Sequence, residues 1–358
     1  MPLPLGPRYS AACAALFAAT LLPAGCTRYF ATDPALTEPS GAVVPAEALA
    51  PRALFMFEGS TGRALGWSDV MSAASWADAV FIGERHDDPT SHAVQLAVYQ
   101  DLVAGYPGTA LALEHLERNE QPTVDRYLRG EITRDEFIDA TKSRDWAGKD
   151  TWLPFFQPLV DCARENNAPV VAANAPRDVV RRARAAGHAA LGAETGPERA
   201  SFEVPVTEYR GFGSKDGWDG RWQAYNARFR EIMSGEGADP HAGEERARLD
   251  NVFLSQSVWD ATMGDSAARA LAAGAPKVVL CAGCFHVERD GGTVLQLEAR
   301  APNARVLTIT VIDASSSRLR DEDRGAADIV IYGFPVERKK PEREPEPKPE
   351  ADAPAPDA

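Results

Sequence analysis

The sequence predicts an α/β fold: a mainly parallel sheet flanked by helices, with a helical excursion covering the carboxyl edge of the strands. Three observations predict it. Short apolar, β-branched runs alternate with stretches of helical periodicity, the pattern of βαβ units. Several runs are continuously apolar, as expected for strands covered on both faces. Residues 215–272 carry no strand signal, so we expect them to form the helical excursion.

Six strands are expected from the apolar runs. They cover residues 79–83, 110–114, 169–174, 277–283, 306–312 and 328–333. Helix signals fall between them. Asp88 and Pro89 begin a helix that Gly105 ends, and Thr133 with Glu136 forms a capping box. We expect one α/β domain over residues 51–335, without internal repeats.

The N-terminus has the pattern of a lipoprotein signal peptide. Its apolar stretch is too short to span a bilayer comfortably, and it ends in LLPAGC. We expect residues 1–26 to be the signal peptide with its lipobox cysteine, Cys26, which would be acylated. The protein would then be exported and lipid-anchored in the bacterial envelope. Because Thr27 and not an aspartate follows, the outer membrane is favoured over the inner. An ordinary signal peptide with an incidental Cys26 is the alternative.

Two further segments are expected to lie outside the folded domain. Residues 27–50 are rich in Ala, Pro, Thr and Glu without a period, and we interpret them as a flexible tether. Residues 336–358 mix both charge signs with repeated prolines, so they cannot bury enough apolar surface to order themselves. We expect them to form a disordered tail.

Charge and cysteine content exclude some classes of function. The formal net charge of −14 disfavours nucleic acid and anionic membrane surfaces as partners, because both are negatively charged. Membrane attachment would therefore be hydrophobic or covalent. Besides the acylated Cys26, three cysteines remain in the body of the mature chain: Cys162, Cys281 and Cys284. Their odd number argues against a disulfide framework, and a local disulfide between Cys281 and Cys284 stays open.

The turns after four predicted strands are rich in carboxylates and imidazoles. Ligands bind at the carboxyl ends of strands in an open α/β sheet, so we expect these side chains to approach one another there. A buried carboxylate needs a partner, and we therefore interpret Glu84 and Glu114 as site residues. The full set at this edge is Glu84, His86, Glu114, His115, Asn174 and His286.

Two polar residues interrupt an apolar stripe in the helical excursion. Apolar residues recur at helical spacing between residues 246 and 270, and Gln256 and Asp260 lie one turn apart within that stripe. A buried lone aspartate is costly without donors or a cation. We expect both side chains to line the same cleft, with satisfied core polar groups as the alternative.

Five segments together resemble the ChaN-like haem-binding uptake family. In order they read FIGERHDDPTSHAVQ, ALEHLERNEQPTVDRYLRG, VVAANAPRDVV, QSVWDATMGDS and CAGCFHVERDGG, and they span residues 81–292. Each motif alone is weak, whereas their order and spacing make the resemblance specific. The family is related more distantly to the Tiki-type metalloproteases and the erythromycin esterases.

The resemblance implies a periplasm-facing lipoprotein that binds haem and is linked to iron uptake. Haem would lie in a cleft at the strand carboxyl ends, in a pocket formed by Glu84, His86, Glu114, His115, Asn174, Gln256, Asp260 and His286. Axial ligation is expected from a tyrosine phenolate, a histidine or a methionine, and Tyr225 in the helical excursion is the first candidate. The oligomeric state stays open, with a homodimer among the expectations.

Two other functions stay open. The strand-end carboxylates also suit a divalent-metal-dependent hydrolase of the Tiki-like superfamily. In that case Glu84, His86 and His286 would hold the metal, and Glu114 would act as general base. An envelope scaffold with a degenerate pocket would bind neither haem nor metal. We rank haem binding above hydrolysis and assign no catalytic residue.

Overall fold

The computed structural model of the protein describes residues 51–207, 218–234 and 239–334. Its central sheet has eight strands within these ranges. The strands are β1 Phe55–Glu58, β2 Ala64–Leu65, β3 Ala79–Glu84, β4 Ala110–Glu117, β5 Val170–Asn174, β6 Val278–Gly283, β7 Val306–Ile312 and β8 Ile329–Tyr332. They form one sheet in the order β2-β1-β8-β7-β3-β6-β4-β5. The run from β8 to β5 is parallel, whereas β1 pairs antiparallel with both β2 and β8.

Twelve α-helices connect and cover the strands within the described ranges. They are α1 Trp67–Trp76, α2 Pro89–Gly105, α3 Gln121–Leu128, α4 Arg134–Thr141, α5 Trp152–Phe155, α6 Gln157–Glu165, α7 Arg177–Ala186, α8 Gly196–Ala200, α9 Trp218–Met233, α10 Gly243–Ala272, α11 Cys284–Val287 and α12 Gly292–Arg300. Helices α1, α2 and α6 pack on one face of the sheet, and α10 and α12 pack on the other.

The strand β3 lies at the centre of the sheet and is buried on both faces. Val80 and Ile82 join the core beneath α2, whereas Ala79 and Phe81 pack against Met263 of α10 on the opposite face. Alternate side chains of a strand point to opposite faces, so a strand covered on both sides must be apolar throughout. Burial on both faces explains why the residues before Glu84 are apolar throughout. The same strand places Glu84 at the carboxyl edge of the sheet.

The helix signals act as the sequence predicts. The Asp88 carboxylate accepts hydrogen bonds from the backbone N–H groups of Thr90 (2.9 Å) and Ser91 (3.3 Å), which caps α2. The Thr133 hydroxyl and the Glu136 carboxylate form the predicted capping box at the start of α4. The Asp88 cap fixes where the chain leaves the carboxyl end of β3 and begins α2.

The predicted fold class is confirmed, with the helical excursion present as α9 and α10. All six predicted strands are found within three residues of their predicted bounds. The strands β1 and β2 were not predicted: they have only four and two residues and form the antiparallel edge of the sheet. Short edge strands carry little periodicity, which explains the omission.

Residues 1–50 and 335–358 lie outside the described residues, and with them Cys26, the predicted tether and the predicted tail. Within the described ranges, no helix combines the length and the hydropathy that a bilayer-spanning helix requires.

Candidate functional site

Three neighbouring strands of the parallel sheet deliver the polar side chains of the site. Glu84 is the last residue of β3, opposite Gly283 at the end of β6. Glu114 and His115 lie in the last half of β4, on the other side of β6. Parallel strands end at the same edge, so these residues meet where the chain turns into helices.

The Glu84 carboxylate is the centre of a buried hydrogen-bond cluster. Its Oε1 accepts from His86 Nδ1 at 2.8 Å and from His115 Nε2 at 2.9 Å, and its Oε2 accepts from Gln95 Nε2 at 2.5 Å. His92 Nδ1 lies 3.5 Å from Oε2. Burial would raise the pKa of Glu84, but the charge and hydrogen bond of His115 and the bond from His86 hold that pKa well below its usual range. Glu84 is therefore a buried carboxylate stabilised by donors.

A second buried network of polar side chains contains Glu114, His286 and Asp260. Glu114 Oε2 accepts from the backbone N–H of Gly283 at 2.7 Å, and Glu114 Oε1 lies 3.5 Å from His286 Nε2. The other ring nitrogen, His286 Nδ1, donates to Asp260 Oδ1 at 2.7 Å. Burial opposes charge on this imidazole, yet the carboxylates of Glu114 and Asp260 raise the pKa of His286 to about 10. Burial likewise opposes charge on Glu114, whose pKa the imidazolium of His286 lowers to about 2. In this network, the His286 ring is an imidazolium between two carboxylates.

Helix α10 contributes Asp260 and Gln256 to this network. The Asp260 carboxylate also accepts from the Tyr225 hydroxyl at 2.6 Å and from the Thr293 hydroxyl at 2.8 Å. Gln256 Nε2 donates to the Tyr225 hydroxyl at 3.0 Å. Asp260 is fully buried, so each of these donors offsets the cost of placing a carboxylate in the interior.

The absence of a side chain at Gly283 lets the His86 ring approach the end of β6. A Cβ at Gly283 would lie 2.9 Å from His86 Cε1 and 3.0 Å from His86 Nε2, closer than ordinary contact. The backbone of Gly283 (φ −53°) is one that any residue adopts, so the glycine is required here by space. His86 is thereby held against the site edge while 42% of its side chain stays exposed.

Aromatic rings cover the inner side of the Glu84 cluster. The Trp146 ring meets His86 and His115 edge-on, with centroids 4.8 and 4.3 Å apart, and Phe156 lies 3.9 Å from the His115 ring. His115 Nδ1 is buried and has no hydrogen-bond partner among the described residues. The His115 imidazole therefore serves Glu84 through Nε2 alone.

A cleft of about 860 Å³ opens over this edge of the sheet. Its floor includes Glu84, His86, Gly283, Cys284, Phe285 and His286. Apolar side chains of α9 and α10 form one wall, and arginines of α7 form part of the other. The wall residues that line the cleft are Arg177, Arg181, Arg184, Phe229, Ile232, Met233, Val252, Gln256 and Trp259. One cleft thus combines apolar walls, basic groups and imidazoles.

Comparison with known proteins places the chain in a family. The family model described as haem-binding uptake, Tiki superfamily, ChaN matches residues 70–297. The chain belongs to this family. The match covers more than half of the sequence and contains both hydrogen-bond clusters. None of the curated proteins matches the chain.

Three solved structures resemble the chain to different degrees. A structure reported for cofacial heme binding to ChaN of Campylobacter jejuni matches with a TM-score of 0.55 and 17% identity, over 78% of this chain and 96% of that one. The type III effector HopBA1 gives a TM-score of 0.41 at 15% identity, over 80% and 99% of the chains. An erythromycin esterase in its open conformation gives 0.39 at 12%, over 80% and 84%. The first likeness is one of fold, and the other two are too weak to interpret.

The structure of this ChaN-family chain brings most of the expected site residues together. Glu84, His86 and His115 form one cluster, and Glu114, Gln256, Asp260 and His286 belong to the other. Asn174 does not join them. It ends the edge strand β5 opposite Glu117, and its side-chain oxygen accepts from the N–H of Ala175 at 2.9 Å.

The structure places two of the expected groups differently from the sequence-based expectation. Tyr225 is 1% exposed, does not line the cleft and bonds to Asp260, so it is placed beneath the site and not at its surface. The expected metal set of Glu84, His86 and His286 differs from the arrangement found. Among the described residues, the third group within 4.8 Å of Glu84 and His86 is His115, because His286 is turned toward Asp260.

Some site residues were missed by sequence reasoning. Gln95 lies one turn after His92 on α2 and donates to Glu84, and its position on a buried helix face could have revealed it. Arg177, Arg181 and Arg184 recur at i, i+4 and i+7 on α7, a spacing that places them on one face. Trp146 lies in a loop and had no periodic signal.

Proposed function

We propose that this ChaN-family protein binds haem in the cleft at the carboxyl edge of the sheet, as a lipid-anchored envelope protein linked to iron uptake. The observation that carries the proposal is the composition of this one cleft. It joins apolar walls, a row of arginines and an imidazole with a free ring nitrogen, which are the three groups that a haem requires.

The size and walls of the cleft suit a large apolar ligand. A volume of about 860 Å³ lies near the upper end of the roughly 300–1,000 Å³ typical of cofactor and small-molecule sites. Ile232 and Met233 at the end of α9 line the cleft and are 60% and 46% exposed, so they present apolar surface to a ligand. A porphyrin face would cover both side chains.

The arginines of α7 suit the two propionates of haem. Arg181 and Arg184 line the cleft and form no hydrogen bond or ion pair with other described residues. Arg177 lies 3.8 Å from Glu117, at the edge of ion-pair distance. Guanidinium groups bind carboxylates in a bidentate geometry, so this row offers charge to the polar edge of a haem whose apolar edge enters the cleft.

The anchoring part of the proposal depends on the N-terminal sequence. Cys26 follows an apolar stretch and two small residues, the pattern of lipoprotein processing. The net charge of −14 gives no electrostatic attraction to anionic lipid. Attachment would therefore be covalent, and Thr27 favours the outer membrane.

A titration with two porphyrins tests the haem proposal. The full chain is titrated with haemin and, in parallel, with haemin dimethyl ester, whose propionates carry no charge. We expect a saturable Soret change with haemin and weaker binding of the ester. Arg181→Gln combined with Arg184→Gln should weaken haemin by about tenfold or more and leave the ester unaffected, since each charged hydrogen bond contributes about 1.5–3 kcal/mol. Arg318→Gln, an exposed arginine that does not line the cleft, is the matched control. No saturable binding of haemin would refute the proposal.

A divalent-metal-dependent hydrolase is the second candidate, favoured by one observation. Ligand atoms of Glu84, His86 and His115 all lie within 4.8 Å of one another. Imidazole and carboxylate donors suit Zn²⁺, and Glu114 stands nearby as a base. Metal analysis of the full chain after incubation with Zn²⁺ and dialysis tests this candidate. One bound ion that is lost in His115→Ala would support it, and a metal content below 0.1 per chain (about a tenth) would reject it.

A further inference from the structure

We propose that residues 344–358 of the same chain dock in the cleft when it holds no haem, with their carboxylates on the arginines of α7. The consequence for haem affinity rests on the proposed haem function, whereas the docking itself does not. Three observations carry the proposal: the place where the chain leaves the fold, the distribution of charge along the cleft, and the distribution of charge along the sequence that follows β8.

The chain leaves the fold beside the cleft. Strand β8 is parallel to β7 and β3, so its last residues lie at the carboxyl edge of the sheet. Gly333 packs against the first turn of α2, because a Cβ there would lie 2.9 Å from Thr90 Cγ2. Asp87, three residues before Thr90, lines the cleft. Three residues extend over at most about 11 Å, so the chain leaves β8 close to the rim of the cleft.

The cleft is acidic near this exit and basic at its far side. Asp87 is exposed at the near rim, and Arg85 beside it is ion-paired to Asp313 at 2.9 Å. Beyond the edge strand β5, three exposed arginines of α7 line the same cleft: Arg177, Arg181 and Arg184. Guanidinium groups form strong charge-assisted hydrogen bonds with carboxylates. The far side of the cleft therefore suits an acidic segment.

The sequence after β8 changes the sign of its charge along its length. Residues 338–343 contain four basic side chains and one acidic side chain. Residues 344–358 contain five acidic side chains and one lysine. Residues 27–50, the other terminal segment considered, contain only three acidic side chains and one arginine. The arginines of α7 therefore match residues 344–358 better than the expected tether.

The two charge patterns also match in position. Strand β5 is five strands from β8, so the arginines beyond β5 lie about 24 Å from the exit. An extended proline-rich chain advances about 3.1 Å per residue, so about eight residues cover this span. The acidic run begins at Glu344, ten residues after Phe334. The basic run, residues 338–343, then falls over the acidic rim at Asp87.

Weak contacts are sufficient because the acidic segment belongs to the same chain. Two or three charge-assisted contacts at exposed sites correspond to a Kd of about 0.1 mM for a separate peptide. A segment joined by a short linker acts at an effective concentration of about 1 mM. The ratio of these values keeps the segment in the cleft in about nine of ten molecules. Such occupancy lowers the apparent affinity for haem about tenfold.

Haem can displace this segment because it uses a part of the cleft that the segment leaves uncovered. Residues 344–358 have alanine and proline as their only apolar side chains, and none of them is aromatic or branched. The apolar wall at Phe229, Ile232 and Met233 therefore stays available to a larger apolar ligand. Only a ligand that combines carboxylates with an apolar face competes well, so the segment acts as a filter against small carboxylates.

A haemin titration tests the consequence for affinity. The full chain is compared with a variant that lacks residues 336–358, which should bind haemin about tenfold more tightly. Glu344→Gln combined with Glu346→Gln should tighten binding by roughly threefold, because two carboxylates of the acidic run lose their charge. Glu337→Gln combined with Glu342→Gln is the matched control from the same segment and should leave haemin affinity unchanged.

Arginine footprinting tests the docking without haem. Phenylglyoxal modifies accessible guanidinium groups, and mass spectrometry gives the rate at each arginine. We expect Arg181 and Arg184 to react about tenfold more slowly in the full chain than in the variant that lacks residues 336–358. Arg318, exposed and outside the cleft, should react equally in both. The protection should persist when the protein is diluted tenfold, because the occupant belongs to the same chain.

The outcomes separate this proposal from the haem function. If neither form binds haemin, the proposed function is wrong, and the footprint alone decides whether the segment docks. Equal modification of Arg181 and Arg184 in both forms would overturn the docking, as would protection that disappears on dilution, which indicates a second copy as the occupant. If both forms bind haemin equally, or if the two glutamine pairs have equal effects, the proposed control of haem affinity is overturned and haem binding stands.

Discussion

Replacing Gly283 with alanine should displace His86 without removing any polar group. The added Cβ would lie 2.9 Å from His86 Cε1 and 3.0 Å from Nε2, whereas ordinary contact begins at 3.4 Å. The ring must therefore retreat by about half an ångström, and Trp146 lies edge-on against the same ring. The displacement loosens the bond to Glu84, which is charge-assisted and contributes about 1.5–3 kcal/mol. Losing half of it, about 0.8–1.5 kcal/mol, corresponds to about four- to twelvefold in haem affinity.

The assay is a haemin titration followed in the Soret region, with thermal unfolding measured in parallel. Gly283→Ala should bind haemin about tenfold more weakly and unfold within a few degrees of the wild type, because the backbone of Gly283 accepts any residue. Gly105→Ala is the control, since a Cβ there meets nothing within 4 Å. Unchanged haem affinity in Gly283→Ala, with a crystal structure showing a displaced ring, would refute the contribution of the His86 imidazole to haem binding.

Further predictions concern the second cluster and the anchor. Asp260→Ala leaves three buried donors without an acceptor and should lower the free energy of unfolding by about 3–5 kcal/mol in urea; a loss below 1 kcal/mol (about the size of a surface effect) would contradict this. The Glu114–His286 pair should stabilise the fold fully between their ordinary pKa values of 4.5 and 6.5. Its contribution should fall as the pH drops toward about 2, where Glu114 is protonated in the fold, and as the pH rises toward about 10, where His286 loses its proton. Unfolding measured across pH should show this decline, and His286→Gln should remove the alkaline part. Cys26→Ser should release the protein from the membrane fraction, and retention after signal cleavage would exclude Cys26 as the anchor.

The convergence of the site could be predicted because it follows from parallel strands. Glu84 and His286 come directly after β3 and β6, which are neighbours in the sheet, and Glu114 lies on the next strand. Gln256 and Asp260 could be placed from helical periodicity, since polar residues one turn apart in an apolar stripe share one buried face. These arguments use only the common edge at which parallel strands end and the periodicity of a helix.

Other features depend on details that no short pattern contains. Alternation along β4 suggests that Glu114 and His115 face opposite ways, yet both reach the site because the register shifts between Leu113 and Glu117. Asn174 misses the site because β5 is the edge strand, and strand order cannot be read from the strands themselves. The burial of Tyr225 depends on how α9 lies over α12.

A crystal structure of the full chain with haemin, measured at the iron absorption edge, tests the central claim most directly. The account predicts one anomalous iron peak in the cleft, with the propionates against Arg181 and Arg184. An iron peak outside this cleft would contradict it.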